Sequence, residues 1–296
     1  ENANNNIIEN TVTYSSDDYG ISFYYQSDYN NLNNITGINN RGGLQLRISD
    51  YNIINNSNFS YNSERGIVVD RSNNNYLYNI ESKENEYFDF YFSADNPGYC
   101  NGWIVSNMTG SSDYPIEFYI TQTVIENRTL STLILCNSDN SRINNVSIVG
   151  SSTFNNNYML TFSVNNANIT NVNSSNNYDG FVLHGYDFIV ENLTANNNQD
   201  DGIELDLRDS ILRNSYIENN LYGGIYITSQ TLPNATIYNN YFNNTNNVYF
   251  YIPERNNTWN ISYSTQTNIL GENVYGGNFW ATPTGTGFSE TCADNI

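Results

Sequence analysis

Residues 180–227 read GFVLHGYDFIVENLTANNNQDDGIELDLRDSILRNSYIENNLYGGIYI, and two signals repeat within them. One is a glycine followed by alternating apolar residues, at Gly180-Phe181-Val182-Leu183, Gly202-Ile203-Glu204-Leu205 and Gly224-Ile225-Tyr226-Ile227, about 22 residues apart each time. The other is an aliphatic residue, any residue, then asparagine, at Val190-Glu191-Asn192 and Leu212-Arg213-Asn214. A period of this length marks a solenoid, whose repeats cannot bury an apolar face alone and do so by stacking. Alternation with a period of two is the pattern of a strand with one buried face.

Outward from this stretch the glycine signal recurs at Gly20, Gly43 and Gly66, and the tripeptide recurs from Ile8-Glu9-Asn10 to Ile237-Tyr238-Asn239. The expected asparagine ladder is Asn10, Asn34, Asn55, Asn79, Asn107, Asn127, Asn145, Asn171, Asn192, Asn214 and Asn239. At a tight bend each amide can bond local backbone and the same amide one coil above and below. The glycines are expected to supply positive φ at another corner. No stretch sustains a period of 3.6 residues, so helices should be nearly absent. The expectation is an all-β, single-stranded parallel β-helix of roughly 11–12 coils, stacked about 4.8 Å apart. It would occupy residues 1–255, with 256–296 a capping segment of the same domain in which Trp259, Phe279 and Trp280 plug the last coil. The repeat is irregular over residues 95–135, where Asn96-Pro97-Gly98 signals a turn and loops should project.

Among the 296 residues 30 are acidic and 10 basic, a formal charge of −20. That field repels nucleic acid and anionic lipid and excludes both as partners. No run of 18 apolar residues exists, so no helix is expected to insert in a membrane. The chain opens on Glu1-Asn2-Ala3-Asn4, which reads as a mature or trimmed product. Thirteen Asn-x-Ser/Thr sequons point to a secreted glycoprotein, although a chain with about one asparagine in five residues generates them by accident. With the ladder residues set aside as candidates for burial, the acceptors are Asn58, Asn168, Asn173, Asn234, Asn243, Asn256 and Asn260. Three cysteines, Cys100, Cys136 and Cys292, leave two readings: one internal bridge with a free thiol, or disulfides between chains. Cys136 follows Leu133-Ile134-Leu135 and is expected to point outward.

With the glycines in register, Val182, Glu204 and Tyr226 stack, as do His184, Asp206 and Thr228, and Asp179, Asp201 and Gly223. Alternation puts Ile203 and Leu205 inside and Glu204 and Asp206 outside. Two carboxylates beside the only histidine can serve as acid and base for glycoside cleavage. Asp201, Glu204 and Asp206 are also candidate oxygen ligands for Ca²⁺. The plainer reading, solvated groups on a strongly acidic surface, is preferred, so no catalytic residue and no cofactor is assigned.

The closing stretch Gly276-Gly277-Asn278-Phe279-Trp280-Ala281-Thr282-Pro283-Thr284-Gly285-Thr286-Gly287-Phe288-Ser289-Glu290-Thr291-Cys292 resembles the one that ends many β-helix domains in cell-surface proteins of methanogenic archaea. The repeats before it resemble the right-handed parallel β-helix, pectate-lyase-like superfamily. The resemblance implies a place in the cell envelope. Some such archaeal relatives are named for copper delivery, yet one His with Met108 and Met159 is a poor set of imidazole and soft ligands. Arg208 and Arg213, the basic residues near the acidic cluster, fall in no lyase motif. The expected function is therefore an extracellular structural subunit, sheath- or S-layer-like, whose partner is itself through open solenoid edges and disulfides. The alternatives are a carbohydrate-binding or polysaccharide-cleaving β-helix, with glycans as partners, and an adhesin domain.

Overall fold

The computed structural model describes residues 2–228, 234–251 and 256–291. It is an all-β solenoid of parallel stacked coils, about ten turns where 11–12 were expected, and among the described residues its one α-helix is the four-residue Phe288–Thr291. The chain divides into two compact units, Glu1–Thr121 with Thr129–Ser138 and Ile148–Tyr158, and Gln122–Arg128 with Asp139–Ser147 and Met159–Ile296.

In the first unit the strands Ile7–Tyr14, Asn31–Ile38, Ile53–Asn58, Tyr76–Glu81 and Ile104–Thr109 pair in parallel, one coil apart. A second parallel ladder joins Tyr19–Tyr24, Gly42–Arg47, Arg65–Asp70 and Phe88–Ser93. In the second unit Met159–Asn165, Phe181–Tyr186, Asp201–Arg208, Gly223–Ile227 and Val248–Phe250 form one ladder. The tripeptide segments there become short strands such as Ile189–Glu191 and Ile211–Arg213. The irregularity lies where composition places it. Pro97–Cys100 and Ser111–Asp113 are 3₁₀ turns, and Pro115–Tyr119 meets Ile104–Thr109 in an antiparallel bridge.

The aliphatic residue of the tripeptide is the core residue: Leu32, Leu77, Ile143, Ile169, Val190, Leu212 and Ile237 are all buried. The asparagine two positions on takes positive φ, as at Asn10, Asn34, Asn79, Asn145 and Asn192. Asn tolerates this left-handed region better than other side-chain-bearing residues. One expectation is off by a residue. Ile53 is 37% exposed and Ile54 fully buried, so the motif there is Ile54-Asn55-Asn56 and Asn56, not Asn55, takes positive φ. Along this corner the amides do ladder, Asn34 Nδ2 donating to Asn10 Oδ1 at 2.7 Å, Asn107 to Asn79 at 2.7 Å and Asn192 to Asn171 at 3.1 Å. Most of these amides are exposed, so burial does not exclude them as glycan acceptors.

A second ladder of asparagines is buried. Asn30, Asn52 and Asn75 form one column, Asn40, Asn62 and Asn85 another, and Asn177, Asn198, Asn220 and Asn244 a third. In each step the backbone N–H of one asparagine donates to the side-chain oxygen of the next, at 2.8–3.1 Å. These bonds satisfy backbone that a tight corner would otherwise strand without partners.

The corner glycines serve this ladder, not positive φ. Only Gly102, Gly271 and Gly285 among the described glycines have positive φ. Gly66 and Gly202 are instead positions of close approach: a Cβ at Gly66 would stand 2.5 Å from Asn85 Nδ2, and one at Gly202 2.6 Å from Asn220 Nδ2. The glycine is empty space that the next coil's amide occupies.

Cys136 does not point outward. It is buried and joined to Cys100, 36 residues earlier. The strand Thr132–Cys136 is buried on both faces, with the turn Pro97–Cys100 held to it by Asn137 Nδ2 donating to Pro97 O at 2.9 Å. Cys292, Pro233 and Pro253 lie outside the described residues. Closing a loop of this length restricts the unfolded chain, so reduction is expected to lower the unfolding free energy by about 4 kcal/mol. Urea titration with and without reductant measures it; coincident curves would show the bridge to be without effect.

At the C-terminal end Phe279–Ala281 pairs with Tyr241–Asn243. Trp280 stacks on Phe242 at 4.6 Å and tilts against Trp259 at 5.7 Å, so all three aromatic residues expected in the plug lie on the last coil.

Candidate functional site

Parallel pairing brings the sequence-predicted residues together as follows. Phe181–Tyr186 and Asp201–Arg208 run side by side with His184 opposite Asp206 and Val182 opposite Glu204. Gly223–Ile227 follows, with Tyr226 opposite Glu204 and Gly223 opposite Asp201. Ile203, Leu205 and Leu207 are buried, and Glu204 and Asp206 face outward between them. The histidine leans diagonally: His184 Nε2 lies 3.4 Å from Glu204 Oε1, not on Asp206. Arg208 covers the ring of Tyr186 at 4.9 Å. A depression of about 170 Å³ opens beside Phe162, His184, Tyr186, Asp206 and Arg208. Arg213 lies elsewhere, bonded to Glu191 at 2.9 Å and to the Tyr238 hydroxyl at 3.1 Å.

Asp201 is the unusual member. It is 4% exposed, and the Tyr249 hydroxyl donates to its Oδ2 at 2.5 Å. No hydrogen bond reaches its Oδ1 among the described residues. Tyr249 reaches it across the coil between, lying over Gly223, where a Cβ would stand 2.5 Å from its ring. Burial, partly offset by the tyrosine's hydrogen bond and reinforced by Asp200 and Glu204, pushes the Asp201 carboxyl up to about 7. Burial and the charges of Asp200, Glu204 and Asp201 hold Asp179 well above the usual carboxylate range. Asp200 is raised by burial and Glu204. Burial and the bonded Asp201 raise the Tyr249 phenol. Tyr226 stacks on Tyr249 with centroids 4.5 Å apart and planes 9° apart, and Tyr222 meets it edge-on at 5.2 Å. Spacing placed Asp201, Glu204 and Tyr226 correctly. Tyr249 was missed because its strand, Val248–Phe250, carries no glycine signal.

An open groove of about 950 Å³ lies in the first unit, lined by Asp17, Arg41, Tyr61, Glu64, Glu86 and Phe154 among others. Of the proposed glycan acceptors, Asn173, Asn234, Asn256 and Asn260 are exposed, while Asn58, Asn168 and Asn243 are partly covered.

The family model described as "Periplasmic copper-binding protein (NosD)" matches residues 81–285. No curated protein and no solved structure matches the chain. Copper takes thiolates and thioethers when reduced and imidazoles when oxidised. Cys100 and Cys136 are spent in a disulfide, Met108 and Met159 are buried in different units, and the one histidine faces carboxylates. Among the described residues no three His, Cys, Asp or Glu side chains converge as metal ligands. The described residues do not fit a copper centre. Asp201, Glu204 and Asp206, the Ca²⁺ candidates, form no such group either.

Proposed function

The chain belongs to the NosD family, and from that membership and one edge of its sheet we propose that it works outside the cytoplasm as a structural solenoid of the cell envelope, a sheath- or S-layer-like subunit that associates with copies of itself. The observation that carries this reading is the strand Ile7–Tyr14. Among the described residues it pairs on one side only, with Asn31–Ile38, and Ile7, Val12 and Tyr14 are 73%, 69% and 63% exposed. Where nothing precedes this strand in the mature protein, such an apolar edge takes another strand readily. A head-to-tail contact of this kind does not stop at two copies. The Cys100–Cys136 bridge supports an oxidising compartment, where such bonds persist. Of the three cysteines it leaves Cys292 for a link between chains. The reading does not include the copper of the family's description, for which the described residues offer no fitting donor set.

Electron microscopy and sedimentation of the purified chain test this. The wild type is expected to form extended assemblies, and the double variant Ile7→Glu, Val12→Glu to remain discrete with an unchanged β-sheet spectrum. Discrete wild-type particles at every concentration would overturn the reading. A carbohydrate-binding role is the second reading, favoured by the exposed pair Tyr29 and Tyr51, whose rings stack at 4.9 Å as a platform for a sugar face.

A further inference from the structure

Three tyrosines and one buried carboxylate meet at the edge of a sheet, and their chemistry is not that of a packing contact alone. Tyr249 lies on the last strand of its ladder, Val248–Phe250, which pairs with Gly223–Ile227. Its ring stacks on Tyr226, one coil step away and opposite it in register. Its hydroxyl is already bonded to Asp201 Oδ2 at 2.5 Å. Tyr222, which touches Tyr249 edge-on, is 60% exposed and links the cluster to solvent. A phenol gives up an electron more easily when its proton has a base to go to, and Asp201, with no hydrogen bond to Oδ1, is such a base.

We propose that Tyr249 is an oxidation site and couples to Tyr226 in a dityrosine bond that staples the two strands. A one-electron oxidant takes an electron from Tyr249, and the phenolic proton passes to Asp201. A second equivalent oxidises Tyr226, whose proton passes to water. The two radicals join through ring carbons ortho to oxygen, and the hydrogens on those carbons move to the phenolic oxygens. The product keeps both hydroxyls; two electrons have gone to two oxidant molecules and two protons have been released. The staple would fix the outermost strand of that ladder to its neighbour.

The chain carries its own control. Tyr29 and Tyr51 stack at 4.9 Å with planes 4° apart and are more exposed, yet among the described residues neither hydroxyl has a hydrogen-bond partner. The two pairs are stacked alike, so access alone favours Tyr29–Tyr51 and an acceptor for the proton favours Tyr226–Tyr249.

At pH 8, where the Asp201 carboxyl is ionised and can take the proton, the whole chain is exposed to limiting photogenerated tris(bipyridine)ruthenium(III), digested, and its cross-linked peptides quantified by mass spectrometry. The Tyr226–Tyr249 product is expected to exceed the Tyr29–Tyr51 product severalfold. Asp201→Asn is expected to reduce the first severalfold and leave the second unchanged. Tyr226→Phe is expected to abolish the first while Tyr249 is still oxidised, which keeps the test decisive where Asp201→Asn fails to fold. A dominant Tyr29–Tyr51 product, or a Tyr226–Tyr249 yield indifferent to Asp201→Asn in a folded chain, would overturn the proposal.

Discussion

Denaturation at pH 5 is expected to return a higher unfolding free energy than at pH 8, the reverse of proteins held by ion-paired carboxylates. The sign follows from Asp201. Its folded value of about 7 lies above the ordinary 3.8, because burial and the neighbouring Asp200 and Glu204 penalise the charged form. Where the folded state holds a proton that the unfolded state has released, raising the pH drains stability. The loss begins above the unfolded value and is complete once the pH passes the folded one. Between pH 5 and pH 8 that amounts to roughly 2–3 kcal/mol from Asp201 alone.

Other groups push the same way. Asp179, Asp200 and Asp50 are also raised, each chiefly by burial. A chain of net charge −20 is further relieved as acids take up protons. The opposing terms are ion pairs such as Arg41–Glu64 and Arg47–Asp70, which need ionised carboxylates. These are partly solvated, and pairs of that kind contribute about 0–1 kcal/mol each. Asp201→Asn keeps an oxygen for the Tyr249 hydroxyl and removes the titration, so the difference between pH 5 and pH 8 should shrink by most of its size. Equal stability at the two pH values in the wild type, or a rise toward pH 8, would refute the account.

The sequence made the coil legible because the coil is built from signals only a few residues long. The buried aliphatic residue and the left-handed asparagine two positions on are local requirements of one bend, and they repeat wherever the bend does. The slip along the exposed asparagine corner, Asn55 for Asn56, came from two adjacent isoleucines, either of which satisfies the pattern; only the neighbouring strand's register, Leu32 opposite Ile54, decides between them. The buried asparagine columns were harder to see. Their signal exists, an asparagine three or four residues before the glycine, as in Asn40 and Gly43, Asn62 and Gly66, or Asn198 and Gly202. It is hidden because asparagine is so common and because the glycine's role is to leave room for a residue a full coil away. The Cys100–Cys136 pairing and the Tyr249–Asp201 contact depend on a loop and a strand that follow no repeat, so no periodicity could foretell them.

Asp89→Ala is expected to be the most damaging single substitution described, costing on the order of 4 kcal/mol. The position explains why. Asp89 stands next after Gly20, Gly43 and Gly66 in the corner column, since Arg65 is opposite Phe88 and Ile67 opposite Phe90. In the earlier coils that glycine leaves space for an amide of the following coil. The coil after Asp89 brings Ser111 there instead, and the carboxylate fills the vacancy. Its Oδ1 accepts from Asn85 Nδ2 at 3.0 Å and Asn156 Nδ2 at 3.1 Å, and its Oδ2 from Asn157 Nδ2 at 2.7 Å and the Ser111 backbone N–H at 2.8 Å. The carboxylate thus ends the asparagine column and pins the inserted segment 151–157 with the same group. Burial raises its pKa, and the bonds from Asn157, Ser111 and Asn85 oppose that rise. Removing it strands several buried donors at once, and each unsatisfied donor costs about 1–3 kcal/mol. Asp89→Asn keeps the shape but turns one acceptor into a donor facing other donors, so it should cost about half as much. Urea titration ranks the two variants, and limited proteolysis should cut Asp89→Ala first within 148–158. Wild-type stability in Asp89→Ala would mean that Asn156 and Asn157 hold the insertion without the carboxylate, and that the column closes on Ser111 alone.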